Sequence, residues 1–244
     1  MKRAFVAAFA ILAFVPGTAL AADLGTPPPA PYYKAPFVAP QFSWTGIYIG
    51  GDGGYGWGTS SGTSANSVGT FPVPYSYNVE GPLAGGFVGG NYQINQIVIG
   101  AEADWQWANL TGNSGTIAAV GGPYTVSSTV KDYGSLRGRL GFAVDHWLFF
   151  GTGGWAWGSW NTSYAFTGTA PFFTNGVNSH SGWTAGAGVE YAFTNNIIGR
   201  LEYRYTDLGS ANYVDTISNS SELGNKVTIN DFRAGLSFKL GGPY

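Results

Sequence analysis

The feature that most limits what this chain can fold into is an alternation of period two that returns in segment after segment, with the charged residues on a single parity. In Gln96–Trp107, QIVIGAEADWQW, one set is Ile97, Ile99, Ala101, Ala103, Trp105 and Trp107, and the other is Val98, Gly100, Glu102, Asp104 and Gln106. Successive side chains of a strand point to opposite faces, so such a segment reads as a strand with one apolar face. Trp44–Trp57 sets Thr45, Ile47, Ile49, Tyr55 and Trp57 against Tyr48, Gly50, Asp52, Gly54 and Gly56. Leu136, Leu140 and Phe142 oppose Arg137, Arg139 and Gly141. Trp183–Phe193 opposes an apolar set to Thr184, Gly186, Gly188, Glu190 and Ala192, and Ile197–Thr206 opposes Ile197, Gly199, Leu201, Tyr203 and Tyr205 to Ile198, Arg200, Glu202, Arg204 and Thr206. In Phe232–Leu240 the set Phe232, Ala234, Leu236, Phe238 and Leu240 faces away from Arg233, Gly235, Ser237 and Lys239.

Two segments are less regular. Gly85–Tyr92 places Val88 and Tyr92 on the apolar face only if Phe87 joins the polar one, and Trp147–Trp157 is apolar on both parities, which leaves its facing open. Together these predict about eight strands, a common number for small exported barrels. The connectors alternate in length: long over 58–82, short over 93–96, long over 108–129, short over 144–146, long over 158–181, short over 194–196 and long over 207–226. Short turns on one side and long loops on the other are the rhythm of an up-and-down barrel with both termini on the periplasmic side.

Composition decides which face meets what. Only 10% of the 244 residues are charged and 16% are aromatic, with Gly at 39; a typical soluble domain carries about 25% charge. A soluble barrel with its apolar set turned inward would show far more charge, Lys included. The charged parity here is otherwise Gly, Ala, Ser and Thr, which suits a narrow interior where small residues make room for a few long ones. The apolar face then meets lipid, with Trp44, Trp57, Trp105, Trp107, Tyr203 and Tyr205 expected in interfacial girdles. Closed strands satisfy every backbone group, as hydrocarbon requires. The expectation is all-β: an eight-stranded antiparallel transmembrane barrel over 43–240. A net charge of -2 gives no case for nucleic acid.

At the N-terminus Lys2 and Arg3 precede an apolar run from Ala4 to Val15, then Pro16, Gly17 and Ala19-Leu20-Ala21. That order is a secretory signal peptide over 1–21, too short in its apolar part for a spanning helix. The Pro-dense stretch 22–42 reads as an extended periplasmic arm, and 241–244 as a short tail. With no cysteine in the chain, disulfide scaffolds, thiolate chemistry and Fe–S clusters are excluded.

The segments WTGIYIGGDGGYGWG, GRLGF, FFGTGGWAWG, VEYAF and RLEYRYTDLG, in that order, resemble the small porin-like outer-membrane proteins of alphaproteobacteria, which belong with the OmpA-type membrane barrels. The similarity runs from about Trp44 to Leu240. It implies an abundant surface-exposed envelope protein of the bacterial outer membrane, often called a porin or immunogenic outer-membrane protein, with some relatives binding haem, and it supplies no catalytic residue. The last strand looks like an assembly signal through Arg233, Gly235, Phe238 and Leu240. Family members generally stop on an aromatic residue, whereas Gly241-Gly242-Pro243-Tyr244 follows Leu240 here. Outer-membrane lipid, lipopolysaccharide and the barrel-assembly machinery are the partners this implies.

The candidate site is the interior charge: Glu102, Asp104, Arg137, Arg139, Glu190, Arg200, Glu202, Arg204 and Arg233. Like charges two apart on one face need opposite charges across from them, so paired ladders are expected, either as a structural plug or as a pore lining that selects ions. Arg suits both, since its planar fork binds carboxylates bidentately. No cofactor or metal ligand set is read. His146 falls in a predicted periplasmic turn and His180 in a long external loop beside Ser179 and Ser181, where adjacency alone does not organise a nucleophile and its base; no enzyme is expected. Small solutes could use the interior, and haem, through His180 or Tyr164, or host factors could use the external loops, whose Ser, Thr, Asn and Gly, including Asn161-Thr162-Ser163 and Asn109-Leu110-Thr111, are surface features. GxGxxG-like strings have no helix after them and do not make a phosphate cradle.

Overall fold

A computed structural model describes residues 42–66, 72–118, 123–166, 176–215 and 220–241. The expected signal peptide, nearly all of the Pro-rich arm and residues 242–244 of the tail lie outside these. Eight antiparallel strands close on one another in chain order: β1 (Gly46–Asn66), β2 (Val73–Ile94), β3 (Ile97–Ile117), β4 (Tyr124–Val144), β5 (Trp147–Phe166), β6 (Gly176–Ala192), β7 (Ile197–Asp215) and β8 (Ser220–Leu240). β1 and β8 complete the ring from Ile47↔Leu240 to Asn66↔Ser220. The expected eight-stranded barrel is present, and every wall strand has two neighbours, so it offers no edge within the membrane.

The parity read from the sequence is the parity of the wall. Ile47, Ile49, Tyr55 and Trp57 point outward from β1, Ile97, Ile99, Trp105 and Trp107 from β3, and Phe232, Leu236, Phe238 and Leu240 from β8. In the two segments the sequence left ambiguous, Phe87 points inward beside the outward Val88, and Trp147, Phe149 and Trp155 point outward while Leu148, Phe150, Thr152 and Ala156 point inward. Between its aromatic rims the exposed belt carries no Asp, Glu, Lys or Arg on the described strands. Its upper rim is aromatic, with Trp57 against Tyr203 at 6.4 Å, Trp155 against Trp157 at 4.9 Å and Trp183 against Tyr205 at 5.3 Å between ring centroids. The lower rim has Trp147 against Tyr191 at 4.7 Å.

Three expectations need correction. Trp44 is not in a girdle: it is 1% exposed, precedes β1 and lies inside the periplasmic mouth, its ring edge-on to Phe42 at 4.9 Å. The segment holding it is pinned by Trp44 N donating to Gln93 Oε1 at 2.7 Å, Gln93 N donating to Thr45 Oγ1 at 3.0 Å, and Lys239 Nζ donating to the Ser43 carbonyl. Second, the stretches read as long external loops are mostly strand. β1 and β2 stay paired as far as Ser64↔Val73, and β4 and β5 as far as Tyr124↔Phe166. A spanning strand needs only about 9–11 residues, so each wall strand continues past the belt, by roughly 15–35 Å of barrel depending on its length. Third, His180, Tyr164, Asn109 and Asn161–Ser163 are therefore in strands rather than loops.

Above the belt the ring divides. The β6–β7 ladder ends at Trp183↔Asp207 and the β2–β3 ladder at Glu80↔Thr111, while the other pairings run on. The external part is thus two four-stranded sheets, β7-β8-β1-β2 and β3-β4-β5-β6, facing each other across an apolar core of Tyr75, Tyr77, Val79, Leu110, Tyr124, Val126, Val130, Trp160, Leu208, Val227 and Ile229.

Candidate functional site

Between the external core and the periplasmic mouth lies a layer of ionised side chains. Strand register puts opposite charges directly across from each other: Glu102↔Arg137 on β3 and β4, Glu190↔Arg200 on β6 and β7, Glu202↔Arg233 and Arg204↔Asp231 on β7 and β8. Longer contacts cross the lumen. Arg200 donates to Glu102 through Nη1 at 2.9 Å and Nη2 at 2.6 Å, and to Glu190 through Nε at 2.6 Å. Arg204 Nη1 donates to Asp104 at 2.8 Å, Arg139 Nη2 lies 2.8 Å from Glu190, and Arg137 bonds both Glu102, at 2.6 Å, and Glu202. All nine residues singled out in the sequence are brought together, none with a side chain more than 2% exposed.

Several members were missed. Asp231 accepts from Arg233 Nε at 2.5 Å and from the Tyr133 hydroxyl at 3.0 Å. It continues the Arg233 parity by one more step, so starting the last segment at Phe232 cut it off. Asp52 faces Arg233 at 3.9 Å, and Ser135 donates to Asp104. Tyr48 donates to Glu102 at 2.7 Å and accepts from Arg139 at 2.8 Å. The periplasmic border of the layer is aromatic: the Arg200 guanidinium stands 4.1 Å from the centre of the Phe87 ring, and that of Arg139 stands 4.2 Å from Phe150. Such stacking is favourable for a desolvated guanidinium.

Inward glycines make this packing possible. Gly89 lies across from Tyr48 and Gly50 across from Phe87, so each ring lies flat over a residue without a side chain. A Cβ on Gly89 would stand 2.4 Å from the Tyr48 hydroxyl, and one on Gly50 2.4 Å from the Phe87 ring. Gly188 receives Phe150 in the same way.

Both ends of the layer are closed by apolar side chains. Toward the periplasm Phe42, Trp44, Val98, Ala143, Leu148, Phe150, Ala192 and Ile198 pack together. Outward, the core between the external sheets begins at Tyr133 and Ala156. The two histidines take no part. His146, in the β4–β5 turn, stacks on Phe42 at 5.7 Å, and His180 is buried in β6 against Trp160 at 3.8 Å, which takes its ring away from the surface position expected of a loop ligand. Among the described residues no group of three or more His, Cys, Asp or Glu side chains is placed to hold a metal ion. In the last strand Phe238 and Leu240 face outward, Arg233 and Gly235 inward.

A profile of the outer membrane protein beta-barrel domain matches residues 7–239 of the chain. The chain is 37% identical to the 31 kDa outer-membrane immunogenic protein of Brucella melitensis over 253 aligned residues, covering 98% of this chain and 100% of the relative. It is 35% identical to the 25 kDa outer-membrane immunogenic protein of the same organism, with 98% and 99% covered. It is 36% identical to a 22 kDa outer membrane protein of Rhizobium leguminosarum bv. viciae, over 72% of this chain and 70% of the relative. Among solved structures, the outer membrane protein OprG of Pseudomonas aeruginosa aligns with a TM-score of 0.48 at 12% identity, covering 81% of this chain and 97% of that one.

Proposed function

We propose that this chain, which belongs to the outer membrane protein beta-barrel domain family and resides in the bacterial outer membrane, serves the envelope as a sealed barrel that carries a folded surface domain, and not as an open solute pore. One observation carries this reading: the charged layer is buried at 0–2% side-chain exposure between two apolar plugs. A water-filled lining would leave guanidiniums and carboxylates solvated, whereas here they are spent on one another. Ion pairs that span the lumen brace opposite walls against each other, a structural role for which bidentate Arg is well suited. The Brucella relatives are named as immunogenic, which fits a barrel whose external strands stand clear of the membrane.

The test is conductance of the refolded protein in a planar bilayer, using only material that shows the heat-dependent gel shift of a closed barrel. Folded protein is expected to be silent. Small stable steps that change with Arg139→Ala would overturn the sealed reading in favour of a narrow ion-selective pore.

A further inference from the structure

The charged layer does not balance. Among the described residues it holds six carboxylates, those of Asp52, Glu102, Asp104, Glu190, Glu202 and Asp231, against five guanidiniums. Each guanidinium has a carboxylate of its own at no more than 2.8 Å: Arg137 has Glu202, Arg139 has Glu190, Arg200 has Glu102, Arg204 has Asp104 and Arg233 has Asp231. Asp52 is the carboxylate left over. Its nearest guanidinium is that of Arg233, 3.9 Å away and already turned on Asp231 through Nε at 2.5 Å and Nη2 at 3.0 Å. The Asp52 side chain is nonetheless only 2% exposed, and its Oδ1 has no hydrogen-bond partner of regular geometry. Lys239 is the one other buried Lys or Arg among the described residues. It lies four residues beyond Gly235 along β8, roughly 13 Å, and is engaged at the periplasmic mouth with the Ser43 carbonyl and the Phe42 ring.

Strand register sets a second unsatisfied oxygen beside it. Asp52 pairs with Gly85 on one side and Gly235 on the other, and Gly85 pairs with Gln106, so Gln106, Gly85, Asp52 and Gly235 form one cross-strand row on the inner wall. Gln106 is fully buried, and its amide reaches back over the bare Gly85, where a Cβ would stand 2.4 Å from Oε1. Neither polar atom of that amide has a hydrogen-bond partner of regular geometry. A buried carboxylate without its counter-charge and a buried amide without partners are both costly. One small positive ion between them relieves both.

We infer that the layer binds one monovalent cation of the alkali class, held by the Asp52 carboxylate and the Gln106 amide oxygen. Carboxylate and carbonyl oxygens suit hard cations. The surplus is a single negative charge, which a divalent ion would reverse, and the described residues bring no three His, Cys, Asp or Glu side chains together to hold one. The inference rests on the sealed reading of the lumen, because open water would solvate Asp52 and remove the need for an ion.

The experiment uses the full chain refolded in phospholipid vesicles and unfolded by urea at fixed pH and ionic strength, with sodium or potassium chloride replaced stepwise by choline chloride, whose cation is too bulky for the site. Once the site is filling, the unfolding equilibrium constant is expected to fall about tenfold for each tenfold rise in sodium or potassium, as one ion per barrel requires. Asp52→Asn, which removes the surplus charge and keeps the shape, is expected to fold and to lose that dependence. Gln106→Leu, which takes away the second oxygen, is expected to move it to higher cation concentration. No difference between the alkali and choline salts, or the same dependence in Asp52→Asn, would overturn the proposal. A stability that follows pH and not alkali concentration would assign the balancing charge to a proton and overturn it as well. Conducting barrels would remove the sealed lumen on which the inference rests, whereas silent barrels indifferent to sodium and potassium would sink the cation site alone.

Discussion

Arg200 on β7 and Glu102 on β3 join through two hydrogen bonds of 2.9 and 2.6 Å across the full width of the barrel, four strands apart whichever way round the ring one counts. Glu102 also receives Arg137 and Tyr48. Replacing it by Gln would leave two guanidiniums short of their counter-charge at side chains no more than 2% exposed. Glu102→Gln is expected to destabilise the folded barrel by about 3–5 kcal/mol, measured as the shift of the urea unfolding midpoint in lipid vesicles. A change below about 1 kcal/mol would mean that the layer is solvated.

Arg139 and Glu190 allow the coupling itself to be read. Their contact is 2.8 Å and both side chains are buried. Arg139→Ala takes from Glu190 one of its two guanidiniums, leaving Arg200, and should lower stability, whereas Arg139→Ala with Glu190→Ala removes both charges. The double variant is expected to be less destabilised than the sum of the singles, with a coupling of about 1–3 kcal/mol. Additive losses would show that the two residues act separately.

The inward glycines give a paired test. Gly50→Ala drives a Cβ to 2.4 Å from the Phe87 ring and 2.6 Å from the Leu236 carbonyl, so the ring must leave its place under Arg200. It should destabilise by about 1–3 kcal/mol. Gly53→Ala, three residues along and facing lipid, meets only the Leu83 carbonyl at 3.7 Å and is expected to be neutral within about 0.5 kcal/mol. Equal effects at both would remove the aromatic-on-glycine account.

Leu140, 60% exposed on the outer wall, lies in the belt, and Thr111 on β3 lies beyond it. Leu140→Arg is expected to destabilise by about 2–4 kcal/mol and Thr111→Arg by under about 0.5 kcal/mol. The comparison, made by equilibrium folding into vesicles, locates the upper boundary of the hydrocarbon.

What the sequence made legible follows from what each solvent demands. Within the belt lipid forces an apolar residue at every outward step, so Ile97, Ile99, Leu136 and Leu140 declare their parity and, by exclusion, so do Glu102 and Arg137. Beyond the belt both neighbours of the wall tolerate Ser, Thr, Asn and Gly, and strands such as Thr59–Asn66 carry the composition of loops. Trp147–Trp157 was ambiguous because the interior is itself apolar at both ends, where Leu148 joins the periplasmic plug and Ala156 the external core. Trp44 looked interfacial because nothing in the sequence distinguishes an aromatic residue that ends a strand from one that folds back into the mouth.

The ion pairs that cross the lumen also act as a checksum on assembly. A slip of one residue in any ladder turns that strand's inner set to the lipid, and with it guanidiniums such as those of Arg200 and Arg204. It would also take carboxylates away from partners on the opposite side of the ring, Glu102 and Asp104 on β3 among them. An error at one hairpin is therefore registered by the wall farthest from it, and only the correctly threaded cylinder brings every key to its lock.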